Sequence, residues 1–155
     1  MKKLNNSYTY SMLEPIITEK INNGATVTIQ PKGTSMLPLI RQGQDEVILK
    51  KPSGRLKKYD IPFYKRESGQ FVLHRIIKVR KNDYVLCGDN QVDYEYNITD
   101  DMILAVVDSI IRDGKTIPVT DTKYLSYCKK HLLSIKKRRF IGRIKRIAKF
   151  ILRRK

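Results

Sequence analysis

The stretch Phe71-Val72-Leu73-His74-Arg75-Ile76-Ile77-Lys78-Val79 reads as one central strand: five aliphatic residues fall in nine positions, with turn signals on both sides. Ser68 and Gly69 mark a hairpin turn before it, leading back to a strand over 61–65. Asn82 and Asp83 turn the chain after it into a strand over 84–87. Further out, 46–50 (EVILK) and 102–111 (MILAVVDSII) read as strands, and Val27 and Ile29 alternate with polar neighbours as a half-buried strand over 25–30. Asp113 and Gly114 make a tight turn into a strand over 115–119. Gly88, Asp89 and Asn90 end the strand at 87, and the polar residues 91–101 read as a long surface loop with Ile98 tucked inward. Many short strands without long intervening helices predict a mainly β, antiparallel fold, a coiled sheet or partly open barrel.

Two segments depart from this pattern. Over 10–21, Met12, Leu13, Ile16, Ile17 and Ile21 recur on one helical face, predicting a short N-terminal helix with Pro15 in its first turn. Beyond Asp121 the chain becomes helical in pattern and basic. Phe140, Ile141, Ile144, Ile147 and Ile151 recur at three- and four-residue steps, with Arg138, Arg139, Arg143, Lys145, Arg146 and Lys149 between them. The division is therefore an extension over 1–10, a domain over 11–120 and a basic amphipathic tail over 121–155.

The charge follows the same division. Of 32 Lys and Arg residues, 13 lie in 129–155 with no Asp or Glu, so the rest of the 155-residue chain holds 19 basic against 15 acidic residues. The formal charge of +17 is thus a property of the tail. A cationic helix with Phe, Ile and Leu on one face fits the headgroup layer of an anionic membrane, with Arg139, Phe140, Ile144, Ile147 and Ile151 as contact residues. Packing of the apolar face on the domain ranks second, and nucleic acid third.

Cys87 and Cys128 lie too far apart in sequence for a metal pair or a thiol redox motif, and the chain has only two histidines, His74 and His131. No metal and no organic cofactor are implied. The N-terminal residues lack the apolar run of a secretory signal, and no segment reaches the length of apolar chain that spans a bilayer, which places the protein in the cytoplasm, peripheral to a membrane.

The chemistry lies in Gly33-Thr34-Ser35-Met36-Leu37-Pro38, followed by Leu73-His74-Arg75. A serine hydroxyl becomes a nucleophile when a base takes its proton, and neutral imidazole suits that task. Gly33 allows close approach of a substrate, and Gly33, Thr34 and Met36 frame the substrate and oxyanion position around the Ser35 amide. The plainer reading makes Ser35 a helix cap and His74 a strand residue hydrogen-bonded to backbone. Residue types alone favour that plainer reading.

Together with Gly88-Asp89-Asn90, these boxes resemble, in order and content, those of the signal peptidase I superfamily, which includes self-cleaving repressor proteases. The family pattern Gly-x-Ser-Met-x-Pro is matched by Gly33, Ser35, Met36 and Pro38. Gly43 and Asp45 stand near a family Gly-Asp step without being adjacent, and Tyr59-Asp60 stands where a second Gly-Asp is usual. His74, followed by Arg75, is similar to the branch found in archaeal and endoplasmic-reticulum enzymes, where histidine replaces lysine as the base.

The resemblance covers about 13–119 and implies a serine endopeptidase acting on signal-like or leader peptides at small residues. It implies Ser35 as nucleophile, His74 as base, and Asp89, with Asp93 in reserve, as the carboxylate that orients the imidazole. A turn residue capping its own loop is an equal reading of Asp89. Two other functions stay open: a peptide-binding module that kept the fold without activity, and a self-cleaving repressor, against which the dozen residues before the core count.

Overall fold

The computed structural model describes residues 10–152 and builds them, in this range, into two long helices, a single 3-10 turn and nine strands in two antiparallel sheets. The helix α1 (Tyr10–Asn22) leads into β1 (Val27–Ile29), β2 (Glu46–Lys50), β3 (Pro62–Lys65), β4 (Phe71–Leu73), β5 (Arg75–Val79), β6 (Tyr84–Cys87), β7 (Glu95–Ile98), β8 (Ile103–Arg112), β9 (Lys115–Pro118) and α2 (Thr122–Leu152). The larger sheet has the order β1-β2-β8-β3-β4, with β9 also on β8; the smaller is β5-β6-β7. The mainly antiparallel class and both helices are as the sequence predicts, but neither sheet closes into a barrel, and β1 and β4 remain edges of the larger one.

Three expectations change. The run over 71–79 is not one strand: β4 pairs with β3 and β5 pairs with β6, so the chain passes from one sheet to the other at His74. Every residue from Val72 to Ile77 is buried, so no alternation of polar and apolar positions marks the crossing. The expected loop over 91–101 contains β7, which pairs with β6 through Tyr84–Ile98 and Leu86–Glu95, while Ile98 is buried as expected. In α1, Pro15 lies inside the helix, one turn past its start, and Met12 and Ile16 face outward. Among the described residues of the helix, Ile17 and Ile21, with Leu13 beside them, pack on the core. The expectation for residues 1–9 lies outside the described residues.

The first half of α2 belongs to the core, not to a separate tail. Asp121 Oδ1 caps the helix by accepting from the amides of Lys123 (2.7 Å) and Tyr124 (3.1 Å). Tyr124 and Cys128 then bury among Val47, Leu49 and Phe63 of the larger sheet, while Leu132 and Ile135 bury against Ile77, Val85 and Cys87 of the smaller one. One helix thereby bolts the two sheets together. Tyr59 adopts φ 84, a conformation that suits glycine. It is held there because its amide donates to the Ile76 carbonyl (2.9 Å) and its own carbonyl accepts from Arg75 (3.2 Å).

Candidate active site

Residues 33–40 form a turn anchored from below, with Met36 and Ile40 sunk in the core and Ser35 left half-buried. Gly33 has φ 93, and the Leu37–Pro38 bond is cis. The Gly33 amide donates to Gln42 Oε1 (3.1 Å), so it is committed to the turn. The Ser35 amide has no acceptor among the described residues and is the donor available to a developing oxyanion. Met36, expected beside the substrate, serves mainly as the buried anchor of the turn, although it also lines the cavity described below.

The Gly88-Asp89-Asn90 box holds this turn in place. The Asn90 amide donates to the Ser35 carbonyl (2.8 Å), and Asn90 Nδ2 donates to the Thr34 carbonyl (3.3 Å). A Cβ on Gly88 would stand 2.7 Å from that same Ser35 carbonyl oxygen, so only glycine permits the approach.

His74 is 2% exposed and lines, together with Ser35, a cavity of about 380 Å³. Its Nδ1 lies 2.7 Å from Glu95 Oε1. Glu95 in turn accepts from the Tyr64 hydroxyl (2.9 Å) and from Arg66 Nε (2.9 Å), with a second Arg66 nitrogen on Oε1. Burial works to raise the Glu95 pKa, but the hydrogen bonds from His74, Arg66 and Tyr64 outweigh it and hold the carboxyl at about 2. In the neutral imidazole, an ionised carboxylate on Nδ1 favours the proton there and so places the lone pair on Nε2, a nitrogen with no hydrogen-bond partner among the described residues.

Asp89 is not the partner of His74. Its carboxylate is taken bidentately by Arg75, through Nε to Oδ1 (2.8 Å) and an Nη to Oδ2 (2.7 Å), and both side chains are fully buried. Consecutive residues of an extended chain point to opposite sides, so His74 faces the cavity while Arg75 faces α2. There Arg75 also donates to the Tyr124 hydroxyl and to Cys128 Sγ, each at 2.9 Å. Burial opposes the Arg75 charge, yet the Asp89 hydrogen bonds prevail and the pKa goes up. From α2, Tyr127 donates to the Asp89 carboxylate (3.3 Å), Arg138 donates to the Asp89 carbonyl (2.9 Å), and His131 Nε2 lies 2.7 Å from that carbonyl. Asp93 is exposed and makes no contact with His74 among the described residues.

Glu95 is not legible from the sequence because its polar segment reads as a loop. The alternation that ends at Ile98 was the available sign of a strand, and a strand would have carried Glu95 back along β6.

The tail residues divide. Arg139 is occupied by the domain: it donates to the Val92 carbonyl (2.9 Å), and its guanidinium lies 3.8 Å from the Tyr94 ring centroid. Phe140, Ile144, Ile147 and Ile151 are exposed. No helix among the described residues is long and apolar enough to cross a membrane, and no group of three or more His, Cys, Asp or Glu side chains there could hold a metal ion. No protein-family model and no curated protein matches the chain.

Proposed function

We propose that the chain is a serine endopeptidase of the signal peptidase type, with Ser35 as nucleophile, His74 as base and Glu95 as the residue that positions His74. The observation that carries this reading is a Ser and a His on one cavity, the imidazole held at Nδ1 by an ionised carboxylate so that its basic nitrogen is left for the serine.

An extended peptide adds to the open edge of β4, which runs directly into His74. Met36, Ile40, Phe63 and Leu73 line the same cavity and receive its small apolar side chains. Ser35 Oγ attacks the scissile carbonyl while His74 Nε2 takes the hydroxyl proton. The imidazolium formed is stabilised by Glu95, and the carbonyl oxygen, now an oxyanion, accepts from the Ser35 amide. The proton passes from Nε2 to the leaving amine as the C–N bond breaks. Water then repeats the sequence on the acyl-enzyme, releasing acid and free serine. Signal-like and leader peptides are the proposed substrates, as the motif resemblance implies.

Cleavage of a fluorogenic peptide library rich in Ala-x-Ala sites tests this. Ser35→Ala and His74→Ala are each expected to lower kcat/KM by at least about a thousandfold with folding intact. Equal cleavage by all three proteins, or none by the wild type, overturns the assignment.

A further inference from the structure

The helix α2 carries two apolar faces that point different ways. At about 100° per residue, the docked side chains Tyr124, Cys128, Leu132 and Ile135 share one side of the helix. Leu133, Phe140, Ile144, Ile147 and Ile151 fall within roughly 60° of arc, centred about 140° away from that side. These five are 66%, 64%, 50%, 59% and 58% exposed, so the domain that covers the first face leaves the second bare. From residue 136 to 152 the helix holds eight Lys and Arg and no Asp or Glu.

At the root of this arm lies a cleft of about 410 Å³, lined by Lys58, Lys78 and Lys136 above Ile77 and Leu132. All three lysines are exposed, and none makes an ion pair among the described residues. Lys136 stands one turn before Phe140, so the cleft and the stripe adjoin along one helix.

We infer that the distal half of α2, with the lysine cleft at its root, is a docking surface for an anionic phospholipid membrane. The Phe and Ile stripe enters the boundary between headgroups and acyl chains, the flanking cations remain among the lipid phosphates, and the cleft takes a phosphate-bearing headgroup. A second copy of the chain is a poor occupant, because pairing two such arms sets eight cations against eight with no acid between them. Nucleic acid would satisfy the cations but would leave the Ile stripe in water. The two tyrosines that line the cleft are also not free platforms for bases, since guanidinium groups cover Tyr94 (Arg139) and Tyr96 (Arg80). The docking does not depend on the proposed chemistry at Ser35.

Co-sedimentation of the full chain with vesicles of phosphatidylcholine alone, or mixed equally with phosphatidylglycerol, tests the inference. Binding is expected only with the anionic lipid, falling as salt is raised. The double variant Ile144→Asp/Ile147→Asp is expected to weaken it by roughly tenfold or more, with circular dichroism and thermal unfolding as in the wild type. The triple variant Lys58→Glu/Lys78→Glu/Lys136→Glu is expected to weaken it by a similar factor. Equal binding to both vesicle types, or no loss in the Asp variant, overturns the inference. So does a failure to bind either vesicle while the chain binds duplex or single-stranded nucleic acid, or self-associates.

Discussion

His74 and Arg75 are neighbours in sequence, yet each faces a carboxylate on its own side of the chain, and the two pairs are built differently. Arg75 and Asp89 are both wholly enclosed and matched bidentately, with Tyr124, Tyr127 and Cys128 around them. Nothing in that pair is left over for a ligand. His74 and Glu95 meet through one nitrogen only, the Glu95 side chain is 23% exposed, and the other imidazole nitrogen has no partner among the described residues and lies beside a cavity. A saturated pair holds elements together, whereas an unsaturated one has valence to spend on a reactant. Both carboxylates are fully engaged, Glu95 by His74, Tyr64 and Arg66 and Asp89 by Arg75 and Tyr127, so what separates the pairs is the one imidazole nitrogen without a partner among the described residues.

Substitution can break this contrast. Glu95→Gln keeps the shape but removes the charge that fixes the imidazole tautomer, so kcat on a cleavable peptide is expected to fall by about three orders of magnitude at a temperature where the variant, although it melts lower than the wild type, is still folded. A mutant with near-normal kcat would demote Glu95 to a surface ion pair. Asp89→Ala strands a buried guanidinium and is expected to cost about 3–5 kcal/mol in urea unfolding, with activity tracking the folded fraction. If it lost activity while keeping its stability, the two roles would have to be exchanged.

Acid supplies the smallest effect. Because the folded Glu95 carboxyl is held at about 2 against its ordinary 4.5, its contribution is fully present above about pH 4.5 and is lost as pH falls towards 2. Wild type should therefore lose stability faster than Glu95→Gln over that interval, a difference readable by thermal melts at stepped pH.

The same two pairs explain what the sequence disclosed. Alternation and turn residues located most strands, since one-sided burial writes itself into the residue order. The crossing at His74 was hidden because burial there is complete on both sides, and β7 was hidden because a short polar edge strand resembles a loop. Ser35 and His74 were legible as residue types in a familiar order. Their carboxylate was not, since Asp89 and Glu95 are six residues apart and the choice between them rests on which side of β6 each one reaches. The tail's spacing describes one amphipathic helix, but Tyr124 and Ile144 lie on different sides of it, and only packing reveals which side the domain claims.

Under the proposed chemistry, the clamp at Gly88 and Asn90 sets when Ser35 can act. The Ser35 carbonyl gains its partner only once Asn90 follows β6 into place, and that box is itself secured by Arg138, much later in the chain. On that proposal, Ser35 remains an ordinary alcohol until most of the chain has been synthesised. Under the proposed chemistry, the chain needs no removable inhibitory segment during synthesis, because completing the fold is itself the act of arming.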